Sequence, residues 1–370
     1  MLLFTPGPTP VPEAVRTAMA GPTIHHRTPE FEAIFKEARE RLTRLFGMDE
    51  CVVLASSGTG AMEACVTNLA ARKVLTVNAG KFGERFGKIA QAFALETVEL
   101  KYGWDTPADV EDVKAALADD PDIDAFCIQV SESAGGLRHP VEEIAAAIKE
   151  INPEIMVIAD GITAVGVEPI DTSNIDALIA GSQKALMLPP GMAMIGLSDA
   201  AVEKIGGGRG YYFNLSSEIA KQRKNTTAYT APTTLIIGLN KVLEMIEEEG
   251  YESFYRKTRA RALATRAALE AIGCVLYPKT PALSMSTVYD EEADAVRSVL
   301  KSEFGVNIAG GQDHLKGRLF RINQMGLIPV HESAWVVNAV EWAYDRLDRR
   351  AYDGLASKVF NEVYYANEKR

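Results

Sequence analysis

Lys184 stands in GSQKALMLPPG, residues 181–191, directly behind the apolar run IDALIA. The strand ends of an open α/β sheet border the crevice where ligands bind. A lysine amine placed there can add to a carbonyl carbon once it has lost its proton. Asp160 closes the preceding apolar run, IMVIAD, so a carboxylate falls at the neighbouring strand end. Further upstream, ASSGTGAMEA at 55–64 follows another apolar run and opens a helix with Ala61, Cys65 and Leu69 on one face. Its glycines let the backbone approach a ligand closely, and free amides at the helix start, with the hydroxyls of Ser57 and Thr59, suit a phosphate. A phosphate cradle, a carboxylate and an amine are together what pyridoxal 5′-phosphate requires: the acid keeps the ring nitrogen protonated, and the amine forms the Schiff base.

Each piece alone has a plainer reading. Most lysines are solvated surface charges, Asp160 could cap a helix or form a turn, and the glycine run could be a capped strand-to-helix turn. The run is not a dinucleotide fingerprint, because Ala61, Met62 and Glu63 follow Gly60 where a third glycine is needed, and Asn78 stands where the ribose-binding acid belongs. No Gly-Lys-Ser/Thr follows, which excludes a nucleoside triphosphate loop.

The elements that must position these residues alternate along the chain. Apolar runs at 51–55, 74–78, 124–130, 155–160, 176–180 and 192–197 are spaced by helical patterns such as PVEEIAAAIKEIN. Strand and helix in alternation predict an α/β fold with a mostly parallel sheet covered on both faces. After about residue 250 the order changes: a long amphipathic helix from 251, strands at STVYD and RLFRIN, and helices between and after them predict a smaller α+β domain. The expected division is an N-terminal arm over 1–20, held extended by Pro6, Pro8, Pro10 and Pro12, a large domain over 21–250 and a small C-terminal domain over 251–370. A net charge of −11 argues against nucleic acid or an anionic membrane as partner. The first residues lack a basic, long apolar leader and no transmembrane run follows, so the expected location is cytoplasmic. Cys51, Cys65, Cys127 and Cys274 are scattered without CxxC spacing, which predicts buried reduced thiols and no metal site.

Taken together, TPGPTPVP at the N-terminus, HHRTPEF at 25–31, SSGTGAMEA, NAGKFGER at 78–85, SESAGG at 131–136, ADG at 159–161, GSQKAL and FRINQMG at 320–326 are similar to the motifs of class V, fold-type I pyridoxal-phosphate aminotransferases, in particular the alanine–glyoxylate and serine–pyruvate aminotransferase family. The resemblance runs from about Thr5 to about residue 345. It implies a fold-type I transferase in which Lys184 carries the cofactor and moves the proton, and Asp160 pairs with the ring nitrogen. It gives Ser57, Gly58, Thr59 and Gly60 to the phosphate, Gln183 to the phosphate or ring hydroxyl, Ser133 to the ring oxygen and Phe82 to the ring face. Arg321, whose fork matches a carboxylate with two parallel bonds, becomes the anchor of the substrate α-carboxylate, with Gly7 beside it. Thr230 becomes a phosphate contact delivered across a homodimer interface, although Thr227 stands where relatives carry a tyrosine. His25, His26 and Arg27 are expected to be structural or interfacial.

The implied reaction moves an amino group from a small amino acid, alanine or serine, to a 2-oxo acid, glyoxylate or pyruvate, in two half-reactions. Aspartate, phosphoserine and 2-aminoethylphosphonate are alternative substrates, and a non-catalytic hydrogenase-associated subunit is an alternative role. The expected substrate-side loop is GGGRGYYFNLS at 206–216, with Arg209 for a second acidic group and Tyr211 or Tyr212 in the pocket. A desulfurase would need a thiol on a mobile loop, and Cys274 is expected in a buried strand instead.

Overall fold

The computed structural model describes residues 1–369; residue 370, the last of the expected small domain, lies outside them. The alternating pattern becomes a seven-stranded sheet with the spatial order Glu50–Leu54, Ala193–Leu197, Ala177–Gly181, Met156–Asp160, Ile123–Gln129, Lys73–Asn78, Glu96–Lys101. All pairings are parallel except those of Ala193–Leu197, which runs antiparallel to both neighbours. The central strands are buried along their whole length, as continuous apolar runs require when both faces are covered. One face packs on Phe31, Phe35 and Leu42 of helix Pro29–Phe46. The other packs on Met62, Cys65 and Leu69 of helix Gly58–Leu69 and Phe86 of helix Gly83–Ala92.

A second sheet has the order Leu2–Phe4, Val306–Gly310, Leu319–Asn323, Met285–Tyr289, Val275–Leu276. Helices Tyr251–Ala271, Val330–Arg346 and Leu355–Asn367 supply its apolar cover, among them Leu269, Val337 and Phe360. The change of pattern near residue 250 falls at Gly250, between helices Thr233–Glu249 and Tyr251–Ala271.

Three features differ from the sequence reading. The N-terminal arm is not extended throughout: Leu2–Phe4 is a strand, paired in parallel with Val306–Ile308, but Glu13–Met19 is a helix that starts once the prolines end. Strand Glu96–Lys101 carries no apolar run because it is a half-exposed edge. Strand Val306–Gly310 is short and glycine-ended, which hid it between the helical pattern before it and the RLFRIN strand after it.

At the rear edge of the large sheet a buried acid joins two central strands. Asp176 accepts from the Val157 amide at 2.7 Å, the Lys149 ammonium at 2.6 Å and the Ser198 hydroxyl at 3.1 Å. It therefore ties together the starts of the strands that deliver Asp160 and lead to Lys184. Removing one partner of a buried ion pair leaves the other unpaired at a cost of about 3–5 kcal/mol. Asp176→Ala should lower the unfolding free energy by roughly that amount in urea titrations, whereas Asp122→Ala, at an exposed pair with Arg72, should change it by no more than about 1 kcal/mol.

Candidate active site

Strand Met156–Asp160 ends on Asp160, which is 4% exposed and accepts from the Ile162 amide at 2.9 Å. The next strand, Ala177–Gly181, runs into a tight loop that presents Lys184. The loop is closed by Leu188 N–H to the Ser182 carbonyl and Met187 N–H to the Lys184 carbonyl, both 2.9 Å, and by the Ser182 hydroxyl donating to the Pro189 carbonyl at 2.8 Å. The N-terminal arm is stitched along it. Thr9 N–H donates to the Gln183 carbonyl at 3.1 Å and its hydroxyl to the Lys184 carbonyl at 2.7 Å. The Lys184 ammonium donates to the Pro6 carbonyl. Gly7 sits so close that a Cβ there would lie 2.5 Å from Lys184 Nζ, and its φ of +107° suits only glycine.

The helix Gly58–Leu69 presents its N-terminus at the same edge. Ser57 occupies the N-cap without a side-chain cap. Among the described residues no protein acceptor meets the amides of Gly58 and Thr59. A Cβ on Gly60 would meet Phe213 at 2.8 Å and also Ser56, so this turn demands glycine. Thr59 Oγ1 accepts from the Arg85 guanidinium at 2.7 Å, and the guanidinium carbon lies 4.8 Å from the centre of the Phe82 ring. Glu132, fully buried, fastens the turn beneath Phe82: its Oε2 accepts from the amides of Phe82 at 2.9 Å and Gly83 at 2.8 Å, and its Oε1 from Ala134 at 2.9 Å.

Arg321 reaches this edge from the second sheet. It lies on Leu319–Asn323 and is 8% exposed. Its Nη1 donates to the Ser133 carbonyl at 2.6 Å, and Nε and Nη2 donate to the Gly310 carbonyl at 3.2 and 2.7 Å. Among the described residues every bond it makes is to a carbonyl oxygen, and no carboxylate is in hydrogen-bond contact with it.

Burial sets the electrostatics. Loss of water pushes the Asp160 carboxyl up to about 6, against the pull of the Ile162 amide, Arg85 and Lys184. Glu132 rises to about 7 for the same reason, with its three amides opposing and Asp160 adding to the rise. Desolvation and then Arg321 bring the Lys184 amine down to about 8, while Asp160 resists. Desolvation lowers Arg321 to about 10.

The structure thus brings Gly7, Gly58, Thr59, Gly60, Phe82, Ser133, Asp160, Gln183, Lys184 and Arg321 to one edge, with exposed Ser57 at its rim. The Gln183 Oε1 is buried there without a partner among the described residues. Thr230 is not brought in: it is exposed, beside Ala55 and Tyr212, and shares no hydrogen bond with the cluster. Thr227 is buried with its hydroxyl spent on the Tyr229 carbonyl. The 206–216 segment is anchored to the large domain. Arg209 donates to the Ala70 carbonyl at 3.0 Å and its amide to Asn68 Oδ1 at 2.9 Å, so it is tied to the far end of helix Gly58–Leu69. Tyr212 stacks on Tyr229 with ring centres 5.0 Å apart. Cys274 is buried with its thiol donating to the Tyr344 hydroxyl at 3.2 Å and pushed up to about 12, which removes it as a nucleophile. Pro6, Thr9, Arg85 and Glu132 were not assigned in the sequence reading. All four lie inside the quoted motifs, and the signal was the charged pair among them: an arginine in NAGKFGER and an acid in SESAGG.

An orphan amide oxygen, unmet helix amides, a buried acid, a flat ring and a low-titrating amine fit a phosphorylated pyridine aldehyde. The model of the aminotransferase class-V family matches residues 1–326. An uncharacterized aminotransferase of Helicobacter pylori (strain ATCC 700392 / 26695) is 52% identical over 367 residues, 99% of this chain and 100% of that one. The serine–glyoxylate aminotransferase of Methylorubrum extorquens is 31% identical over 345 residues, 88% of this chain and 86% of that one. Among solved structures, an aspartate aminotransferase of subgroup IV from Thermus thermophilus superposes with a TM-score of 0.87 at 31% identity, covering 98% of this chain and 100% of that one. The fold is that of fold-type I pyridoxal-phosphate aminotransferases, and the chain belongs to the class-V aminotransferase family.

Proposed function

We propose that this aminotransferase takes its amino group from a small donor, alanine or serine, and passes it to glyoxylate or pyruvate, with pyridoxal 5′-phosphate held at the strand edge built by Asp160 and Lys184. The observation that carries this reading is Arg321: a buried guanidinium fork, bonded only to carbonyl oxygens, beside a lysine amine brought down to about 8. It answers to a carboxylate on a small molecule whose other end meets Lys184. When bound, the cofactor supplies an electrophilic aldehyde and a ring that accepts electrons.

The chain's residues do the rest. The amides of Gly58 and Thr59 and the Ser57 hydroxyl receive the phosphate, Gln183 offers its free amide oxygen, Phe82 covers the ring and Ser133 borders it. Asp160 holds a proton on the ring nitrogen. Lys184 carries a proton to and from the donor's α-carbon, which a low-titrating amine does near neutral pH. Arg321 orients the donor carboxylate, with Gly7 leaving room beside the amine. Of the other cations near the mouth, Lys81 pairs with Asp313 at 2.9 Å and Arg297 with Asp294 at 2.6 Å, and Arg85 is turned to Thr59 of the anion loop. With Arg209 tied to Ala70, this favours a donor without a second acidic group. The likeness to an aspartate aminotransferase supports the competing donor. Exposed Thr230, beside the anion loop's outer side, supports a homodimer in which a second copy completes the phosphate site.

The Lys184 amine should react with trinitrobenzenesulfonate in cofactor-free protein with a midpoint near pH 8, where an ordinary lysine has one near 10.5. Removing the cation in Arg321→Met should move that midpoint up, and removing the anion in Asp160→Asn should move it down. A midpoint unchanged in both variants rejects the electrostatic account. Asp160→Asn should keep much of the bound cofactor, read by its visible absorbance, yet lose most of the turnover, because an unprotonated ring withdraws electrons poorly. Arg321→Lys should lower kcat/KM by on the order of a hundredfold for alanine, serine and aspartate alike. A fall confined to aspartate would assign Arg321 to a side-chain carboxylate, and unchanged values would discard the anchor.

A further inference from the structure

The anion loop has a charge problem that none of the roles above resolves. A phosphate monoester carries about −1.5 to −2 charges at neutral pH, and a helix N-terminus offers roughly half a positive charge. Ser57, Gly58, Thr59, Gly60 and Gln183 are neutral. Of the buried cations at this edge, Lys184 is committed to the aldehyde end and Arg321, on the reading above, to the donor's carboxylate. About one to one and a half negative charges would stay uncompensated in a partly buried site.

Arg85 is the guanidinium that stands at the loop. It rises from the first turn of helix Gly83–Ala92, three residues after Phe82. Its Nη1 donates to Thr59 Oγ1 at 2.7 Å, its plane lies near the Phe82 ring, and its charge is felt by Asp160. Among the described residues no carboxylate forms an ion pair with it, the neighbouring Glu84 being taken by Lys88 at 2.8 Å and Lys81 at 3.6 Å. One donor of its fork is spent on a neutral hydroxyl.

We propose that Arg85 is a phosphate-binding residue: its guanidinium supplies the positive charge that the Ser57–Gly60 loop lacks, with Thr59 holding it at the loop's mouth. The proposal rests on the cofactor reading above. A cation there also makes Thr59 more than a cap, since its hydroxyl oxygen accepts from Arg85 while its amide faces the anion. The Phe82–Arg85 spacing then places the ring's cover and the phosphate's counter-charge on a single helical turn.

The test separates the phosphate from the ring. Cofactor-free wild type, Arg85→Met and Arg85→Lys are titrated with pyridoxal 5′-phosphate and with pyridoxal, following the Schiff-base absorbance, and with inorganic phosphate, following the melting temperature. Arg85→Met should bind pyridoxal 5′-phosphate roughly 10- to 100-fold more weakly, bind pyridoxal within about twofold of wild type, and lose the rise in melting temperature that phosphate gives the wild type. Arg85→Lys, which keeps the charge without the fork, should fall between. Equal weakening of both aldehydes would overturn the proposal by moving Arg85 to the ring or to general stability, and unaltered affinity for pyridoxal 5′-phosphate would overturn it outright. A wild-type protein that forms no Schiff base with either aldehyde would instead remove the cofactor reading itself.

Discussion

The site depends on a guanidinium of the small sheet that donates to a carbonyl of the large domain, Arg321 to Ser133. That bond sets the carboxylate anchor against the side of the site that carries the lysine. Its geometry depends on buried groups on both sides. The Ser133 segment is held by the Glu132 carboxylate, whose reach to Phe82 and Gly83 also seats the aromatic cover. Gly80 makes that reach possible, because a Cβ there would lie 2.5 Å from the Glu132 side chain. On the other side Gly310 turns its carbonyl into the fork. The active edge is thus a chain of polar groups that leave water together, each needing the next.

That crowding explains why amines and acids here titrate toward one another. In a dry interior the neutral forms gain, so carboxyls climb and ammonium groups descend. Asp160 and Lys184 approach neutrality from opposite sides, which is useful chemically: one can hold a proton on a ring nitrogen while the other releases it near physiological pH. It also has a cost in folding. Below about pH 8 the Lys184 charge must be kept in a poorly solvated place, and that penalty fades as the pH rises from about 8 toward 10.5, where the unfolded chain still holds the proton.

Much of this was legible in the residues. The central strands were readable because burial on both faces demands continuous apolar runs, and the residues at their ends were readable because function needs polar groups where the runs stop. Glu96–Lys101 was not, since an edge strand half open to solvent has no such run, and neither was the pairing of Leu2–Phe4 with Val306–Ile308, a contact between chain segments about 300 residues apart. Arg209 shows the limit most clearly. Glycines around an arginine suggest a mobile binding loop, but the same freedom lets the loop fold back and donate to the Ala70 carbonyl. Only tertiary packing decides between the two. Arg85 is the converse, an unremarked residue in a helix turn whose position over Phe82 becomes meaningful once Thr59 is seen to face it.

The N-terminal arm has a mechanical consequence. Leu2–Phe4 is a strand of the small sheet, and Thr9 is bonded to the loop that carries Lys184. Between them lie only residues 5–8, a length of chain that spans at most about 14 Å. The small sheet is therefore tethered to the lysine loop by a short leash that passes the amine itself, where Pro6 offers its carbonyl. Any rocking of one sheet against the other is transmitted along that leash to the nucleophile, so the position of Arg321 and the grip on Lys184 cannot be varied independently.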